Sequence, residues 1–227
     1  MVKMIILEQF YLSILELVQN RTLDLQTATL LWFAIRSKAS MVIAAGPRLA
    51  GKTTLLTALC DLIPSQYRKV YTQGGQEDFS FLTETDPPST YILVNEISSH
   101  LPTYLWGSAV RTLFEALGHG YSMAATMHGD TPGEVLAKLC PLPIGLTPEL
   151  LSRLDLLVML SLHYVDDNLV RRVASVEVVS SAGDGEVMAL PGLMAQPQKD
   201  GLRYTDDSRA WNLLARRLGL ESGTLGG

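Results

Sequence analysis

The sequence predicts an α/β fold, a mostly parallel sheet sandwiched between helices, and three stretches predict it. Met41 to Ala45, MVIAA, is a short apolar run that leads into Gly46-Pro47-Arg48-Leu49-Ala50-Gly51-Lys52-Thr53. Apolar positions at helical spacing follow it, at Leu55, Leu59 and Leu62. Tyr91-Ile92-Leu93-Val94 is a continuous apolar run of the kind found in central parallel strands, buried on both faces. Ser122 to Met127 is a small-residue strand that terminates at His128. Strands that alternate with helical patterns pair in parallel through crossover connections.

The first stretch matches G-x4-G-K-[ST], a phosphate-binding loop set between strand and helix as its mechanism requires. Gly46 and Gly51 permit positive φ and close backbone approach, so successive N–H groups of the loop through Pro47, Arg48, Leu49 and Ala50 can curl round phosphate oxygens at a helix N-terminus. Lys52 reaches the β- and γ-phosphates, and Thr54 lies in the same first turn. The Thr53 hydroxyl suits Mg2+, a hard cation that keeps most of its water and needs one or two protein oxygens. The motif implies a nucleotide such as ATP, bound with Mg2+.

Length and composition bound what else the chain can be. Its 227 residues suffice for one sizeable core in one or two domains, and 47% hydrophobic with 18% charged residues is ordinary for a globular protein. A net charge of −5 and a pI near 5.4 argue against nonspecific nucleic-acid binding. No sequence-specific nucleic-acid partner is expected either. Cys60 and Cys140 have neither disulfide nor metal spacing and read as two buried free thiols, which fits a reducing cytoplasm. The apolar start MVKMIILEQFYLSILELV is interrupted by Glu8 and Glu16 and lacks a small-residue cleavage site, so it reads as a helix. No run is long enough for a transmembrane segment.

In chain order, Phe10, Ile14, Leu17 and Val18 mark one face of a first helix that ends near Gln19-Asn20. A second starts at Asp24 as N-cap, carries Ala28, Leu31, Trp32 and Ile35 on one face, and closes with Arg36 and Lys38. Val70 to Thr72 reads as a short strand before the turn Gly74-Gly75, and Gln76 to Pro88 as a loop. The strand Tyr91 to Val94 ends in Asn95-Glu96. An acid at that end, downstream of a phosphate loop, is where such enzymes hold the Mg2+ shell and orient attacking water, which makes Glu96 the candidate. Trp106, Ala109, Val110, Leu113, Phe114 and Leu117 form a core-facing helix with its stop at Gly118. His128 shares the sheet edge with Glu96, so both can approach one γ-phosphate. His100, His119 and His163 read as structural. Thr131-Pro132-Gly133-Glu134 opens another helix with cap, proline and N3 glutamate in place, and Thr147-Pro148-Glu149 opens one more before the strand Leu156 to Leu162. Leu169 to Val179 and Glu186 to Leu190 read as a hairpin with Arg171 and Arg172 on its solvent face. Residues 191–207 read as loop, Trp211 to Leu218 as a short helix and 221–227 as a disordered tail.

With these motifs placed, the chain resembles the secretion ATPases of type II and type IV secretion and type IV pilus assembly. The likeness rests on AGPRLAGKTTLLTALCDLIP, on the acidic strand PPSTYILVNEIS and on the histidine box ALGHGYSMAATMHGDTP. It extends more weakly from LVQNRTLDLQTATLLWFAIRSKAS to LVRRVASVEVV, over residues 17–195. The resemblance implies a RecA-like P-loop NTPase, a three-layer sandwich with N-terminal helices and a C-terminal β-hairpin plus helix. It divides the chain into N-terminal helices over 1–40, the ATPase domain over 41–195 and an extension over 196–227. It implies a homo-oligomer, a hexameric ring, bound peripherally at the cytoplasmic, inner face of a membrane to an embedded secretion or pilus platform protein. In the family each subunit joins an N-terminal domain to the motor domain, and on this resemblance the chain looks like the motor domain alone. Its roles carry over as Gly51, Lys52, Thr53 and Thr54 on phosphate and Mg2+, Glu96 on Mg2+ and the hydrolytic water, and His128 as γ-phosphate sensor.

The departures are in charge. Where the family follows its glutamate with Ile-Arg, this chain has Ile97-Ser98. Where the family has an acidic box, it has Tyr71-Thr72-Gln73-Gly74, with Glu77 and Asp78 displaced, and no arginine lies in Leu82 to Pro88. Arginines that neutralise transition-state charge are worth about 10³ to 10⁵ in rate. Arg48, Arg111, Arg153 and Arg171 are the candidates to substitute. The leading reading is an ATP-hydrolysing motor subunit of a bacterial secretion or pilus-like machine. The alternative is a hydrolysis-impaired, nucleotide-gated interaction subunit. A small-molecule kinase ranks last, because no Arg-rich lid is evident.

Overall fold

The computed structural model describes residues 12–181, 187–198, 201–206 and 208–219. Two helices lead, α1 (Ile14–Gln19) and α2 (Leu25–Arg36). Ser13 and Glu16 form a capping box on α1, and the Asp24 carboxylate caps α2 by accepting from Thr27 N at 2.7 Å. Then come β1 (Met41–Ala45), α3 (Lys52–Cys60), β2 (Arg68–Tyr71), the single turn α4 (Phe81–Glu84) and β3 (Thr90–Ile97). The helix α5 (Ser108–Leu117), β4 (Ser122–His128), α6 (Pro132–Leu139), the short α7 (Pro148–Leu151) and β5 (Leu156–Val165) follow. Last are β6 (Asn168–Ser181), β7 (Val187–Gln198), β8 (Gly201–Asp206) and α8 (Ser208–Arg217).

Among the described residues eight strands form one sheet in the order β2-β3-β4-β1-β5-β6-β7-β8. The strands from β2 to β5 in that order pair in parallel, and the rest pair antiparallel. The fold is α/β, as the sequence predicts. Alternation along β1 divides the core: Met41, Ile43 and Ala45 face a cluster with Leu31, Ile35, Leu55, Leu59 and Trp211, while Val42 and Ala44 face one with Phe114, Val135 and Leu151. Helices thus cover both faces, which is what buries the parallel strands.

Several expectations are corrected. Trp32 is not on the buried face of α2; it is 41% exposed, with the Arg36 guanidinium 5.1 Å above its ring, and Leu30 and Ala34 are buried instead. Gln76 to Pro88 contains α4 and a 3-10 turn at Pro87–Ser89 rather than loop alone. Trp106 precedes α5. Cys140 is exposed; only Cys60 is buried. Residues 191–207 are not loop-like, because β7 and β8 occupy 191–198 and 201–206. Pro191 and Pro197 disguise β7, yet neither breaks a ladder. Pairing with β6 covers Val187 to Met194 and pairing with β8 covers Leu193 to Gln198, so each proline lies where β7 has one neighbour. The division at 195/196 consequently falls inside β7. A further hairpin joins β5 to β6 through Asp166 and Asp167, both left-handed at φ 47° and 62°, as a two-residue turn requires. Phe10, the expected turn over 182–185 and the tail 221–227 lie outside the described residues. No helix among the described residues is long and apolar enough to cross a membrane.

Candidate nucleotide site

The loop after β1 takes the backbone form its motif demands. Leu49 is left-handed at φ 62°, and Gly51 at φ 96° caps α3 without a side-chain hydrogen bond. The first N–H groups of α3 are therefore left to an outside acceptor. Pro47, Arg48 and Leu49 are exposed, Ala50 is buried, Thr53 is exposed and Thr54 half-buried. At Gly46 an added Cβ would lie 1.4 Å from Asp130 Oδ1, so any side chain there would displace that carboxylate.

β4 lies between the loop strand β1 and the acidic strand β3, and parallel pairing brings their C-terminal ends to one edge. Ala45 stands opposite His128 in register. On β3 the register slips between Val94 and Ile97, an irregularity of the kind that re-aims a side chain, here around Glu96. Thr126 Oγ1 donates to the Asn95 carbonyl across the slip.

Three expected residues converge there. Lys52 Nζ lies 3.4 Å from His128 Nε2, and Glu96 Oε1 lies 3.4 Å from the same nitrogen. His128 Nδ1 faces the Gly46 carbonyl at 3.2 Å, an acceptor only, while Nε2 faces both the Lys52 ammonium and the Glu96 carboxylate. Lys52 and Glu96 are both buried. Burial pulls the Lys52 ammonium below the ordinary lysine value, and the Glu96 carboxylate opposes that shift. An ammonium group, an imidazole and a carboxylate thus meet beside a helix N-terminus, an arrangement able to bind phosphate and to orient a nucleophile.

Sequence reasoning missed the residues around this triad. The segment from Ser98 to Tyr104 folds back over Glu96: Leu105 N donates to Glu96 O at 3.0 Å and Ser98 N to Leu105 O at 3.1 Å. It seats His100 with its ring 6.4 Å from that of His128, so His100 belongs to the site's surroundings. Tyr104 is close enough to feel both Glu96 and Arg48. The turn Gly74-Gly75 supports the segment, since Gly75 N donates to Pro102 O at 2.9 Å and a Cβ on Gly74 would strike the Thr103 backbone. Lys138 donates to His128 O at 3.1 Å. Only position relative to strand ends could have signalled these residues, and the return of the chain after Ile97 was not legible.

The displaced acids and the candidate arginines sort cleanly. Glu77 accepts from Gln73 N at 2.7 Å and Phe79 N at 2.9 Å, and Asp78 accepts from Ser80 N at 2.9 Å, so both brace their own turn. Arg111 donates to the Ile144 and Gly145 carbonyls, and Arg153 to the Phe114 and Glu115 carbonyls and to Glu149. Those two are structural. Arg48 is in the loop itself, and Arg171 Nε donates to Leu49 O at 2.8 Å. Arg171 and Arg172 are half-buried rather than solvent-facing; Arg172 donates to Asn20 O and Arg171 O. Among the described residues no group of three or more His, Cys, Asp or Glu side chains forms a metal cage. Thr53 is exposed in the first turn of α3 and Glu96 carries a buried carboxylate, both oxygen donors of the kind a hard cation such as Mg2+ takes.

No family model matches the chain. It is similar to an uncharacterized protein of Methanocaldococcus jannaschii, 23% identical over 225 residues covering 90% of this chain and 83% of that protein. Among solved structures it is similar to the VirB11 ATPase from the Brucella suis type IV secretion system in complex with sulphate. There the TM-score is 0.49 and the identity 17%, over 78% of this chain and 59% of that chain. It is also similar to the Legionella pneumophila ATPase DotB, with a TM-score of 0.47 and 18% identity over 61% of this chain and 45% of that one. Both TM-scores lie below 0.5, too low to assign a function.

Proposed function

We propose that this chain is a Mg2+-dependent P-loop ATPase, a motor subunit of a type II/IV secretion or type IV pilus-like machine. The observation that carries the reading is the convergence of Lys52, His128 and Glu96 at 3.4 Å beside the loop. Lys52 and the loop amides bind phosphate. Thr53 and Glu96 hold Mg2+, which when bound supplies positive charge to the phosphate oxygens. Glu96 also orients the hydrolytic water. His128, whose Nδ1 lies 3.2 Å from the Gly46 carbonyl, responds to the γ-phosphate and relays its presence to the loop. The ring, its platform partner and its position at the inner face of a membrane follow from the motif resemblance.

A second reading is a nucleotide-gated interaction subunit with poor hydrolysis. It is favoured by the commitment of Arg111 and Arg153 to backbone carbonyls, which leaves fewer cations for transition-state charge. Steady-state ATP turnover across protein concentrations, beside Lys52→Ala, separates the two. The motor reading expects turnover per subunit to rise with concentration and to vanish in the variant. Tight ATP binding without turnover would replace it with the second reading.

A further inference from the structure

The phosphate loop is held from outside by the antiparallel part of the sheet. Arg171, on β6 opposite Leu162, donates from Nε to Leu49 O at 2.8 Å. Its Cδ lies 3.4 Å from where a Cβ on Gly51 would sit, so its stem covers the glycine that opens α3. Leu49 is left-handed and 80% exposed, so packing of its own side chain does not explain that conformation. β6 is itself anchored: Val173 N donates to Thr22 O at 2.7 Å, and Arg172 donates to Asn20 O at 3.4 Å, on the α1–α2 connection.

In a trans peptide the carbonyl and the following N–H point to opposite sides. A Leu49 carbonyl held toward β6 turns the Ala50 N–H away from it. A carbonyl free to flip would instead present its negative end where an anion must bind. Resting on the phosphate-loop reading above, we propose that Arg171 is a positioning residue for polyphosphate binding, fixing the Leu49–Ala50 peptide so that the loop amides face the β-phosphate. The hairpin carries a part of the nucleotide site that the loop motif does not contain.

The test uses Arg171→Met, which keeps the stem over Gly51 and removes the donor. Calorimetry with Mg-ATP and with inorganic pyrophosphate, plus the melting temperature without ligand, gives three readouts. The expected result is about tenfold weaker binding of both ligands, because binding must then select the Leu49–Ala50 peptide orientation that Arg171 no longer holds, with the unliganded melting temperature little changed because the bond lies in an exposed loop. Pyrophosphate has no base, so a matching loss assigns the effect to phosphate. Wild-type affinity in Arg171→Met while Lys52→Ala loses binding would overturn this inference and leave the loop reading standing. So would a loss accompanied by a matching fall in unliganded stability. ATP affinity that Lys52→Ala does not reduce would remove both.

Discussion

The parallel and antiparallel halves of the sheet share one ladder but contribute differently to the site. Parallel strands all end at the same edge, so β1, β3 and β4 deliver the loop, Glu96 and His128 to one place by topology alone. Antiparallel strands end at alternate edges and cannot collect termini in this way. Their contribution comes from mid-strand side chains, as Arg171 of β6 reaches the loop through Leu49. Reactive groups are gathered by strand ends, and their backbone is steadied by a neighbour that takes no part in the gathering.

The sharpest way to break that comparison is at the acidic strand end. Glu96→Gln keeps shape and removes the carboxylate, so turnover is expected to fall about 10²- to 10⁴-fold with ATP affinity retained. Equal loss of affinity and turnover would move Glu96 from water orientation to phosphate-site structure. The next largest effects test whether the halves fold together. Phe114→Ala, in the cluster under the parallel strands, is expected to cost about 3–5 kcal/mol, and Leu193→Ala, on β7, about 2–5 kcal/mol. Both should shift a single denaturant transition. Two transitions, with Leu193→Ala moving only one, would make the antiparallel half a separate unit.

Asp155 joins the halves more directly. Its Oδ2 accepts from Ser40 N at 2.8 Å, just before β1, and its Oδ1 lies 4.0 Å from Arg217 Nη1 on α8. Burial pushes its carboxyl from the ordinary 3.8 up to about 6, against the Ser40 hydrogen bond and Arg217. The folded state therefore keeps a proton that the unfolded chain releases, between pH 3.8 and about 6. Stability contributed by this group falls as pH rises through that window, by about 3 kcal/mol in all. Asp155→Asn should flatten that part of the profile, read by urea unfolding at pH 4.5 and 7. An unchanged slope would assign it to other groups.

How much was legible divides along the same line. Continuous apolar runs and a loop motif announce buried parallel strands, and Glu96 and His128 are visible because they terminate those runs. β7 was hidden because Pro191, Gly192 and Pro197 are turn signals in any local reading. It is a strand nonetheless, because each proline lies where β7 has a single neighbour, a fact of register. Gly192 is there for a different reason, since a Cβ would strike Trp211 and the Val176 carbonyl. Arg171 reaches the site across a long sequence separation, and His100, close behind Glu96 in the chain, by a backbone return that no periodicity announces. A side chain that arrives that way leaves no spacing to read.

The smallest expected effect separates the site edge from the rest of the fold. Thr131 caps α6 by accepting from Glu134 N at 3.2 Å, and Asp24 caps α2 in the same manner. Either cap replaced by alanine should cost about 1 kcal/mol in a thermal unfolding measurement. Their surroundings differ. Glu134 accepts from Asp130 N at 2.7 Å and pairs with Lys138 at 2.5 Å, Asp130 rests on Gly46, and Lys138 donates to His128 O. A frayed α6 therefore loosens groups packed on the loop, whereas a frayed α2 does not. Thr131→Ala is expected to raise the KM for ATP severalfold and Asp24→Ala to leave it unchanged. Equal effects on KM would show that the caps act only through global stability, and that control of the loop stops at the side chains in direct contact with it.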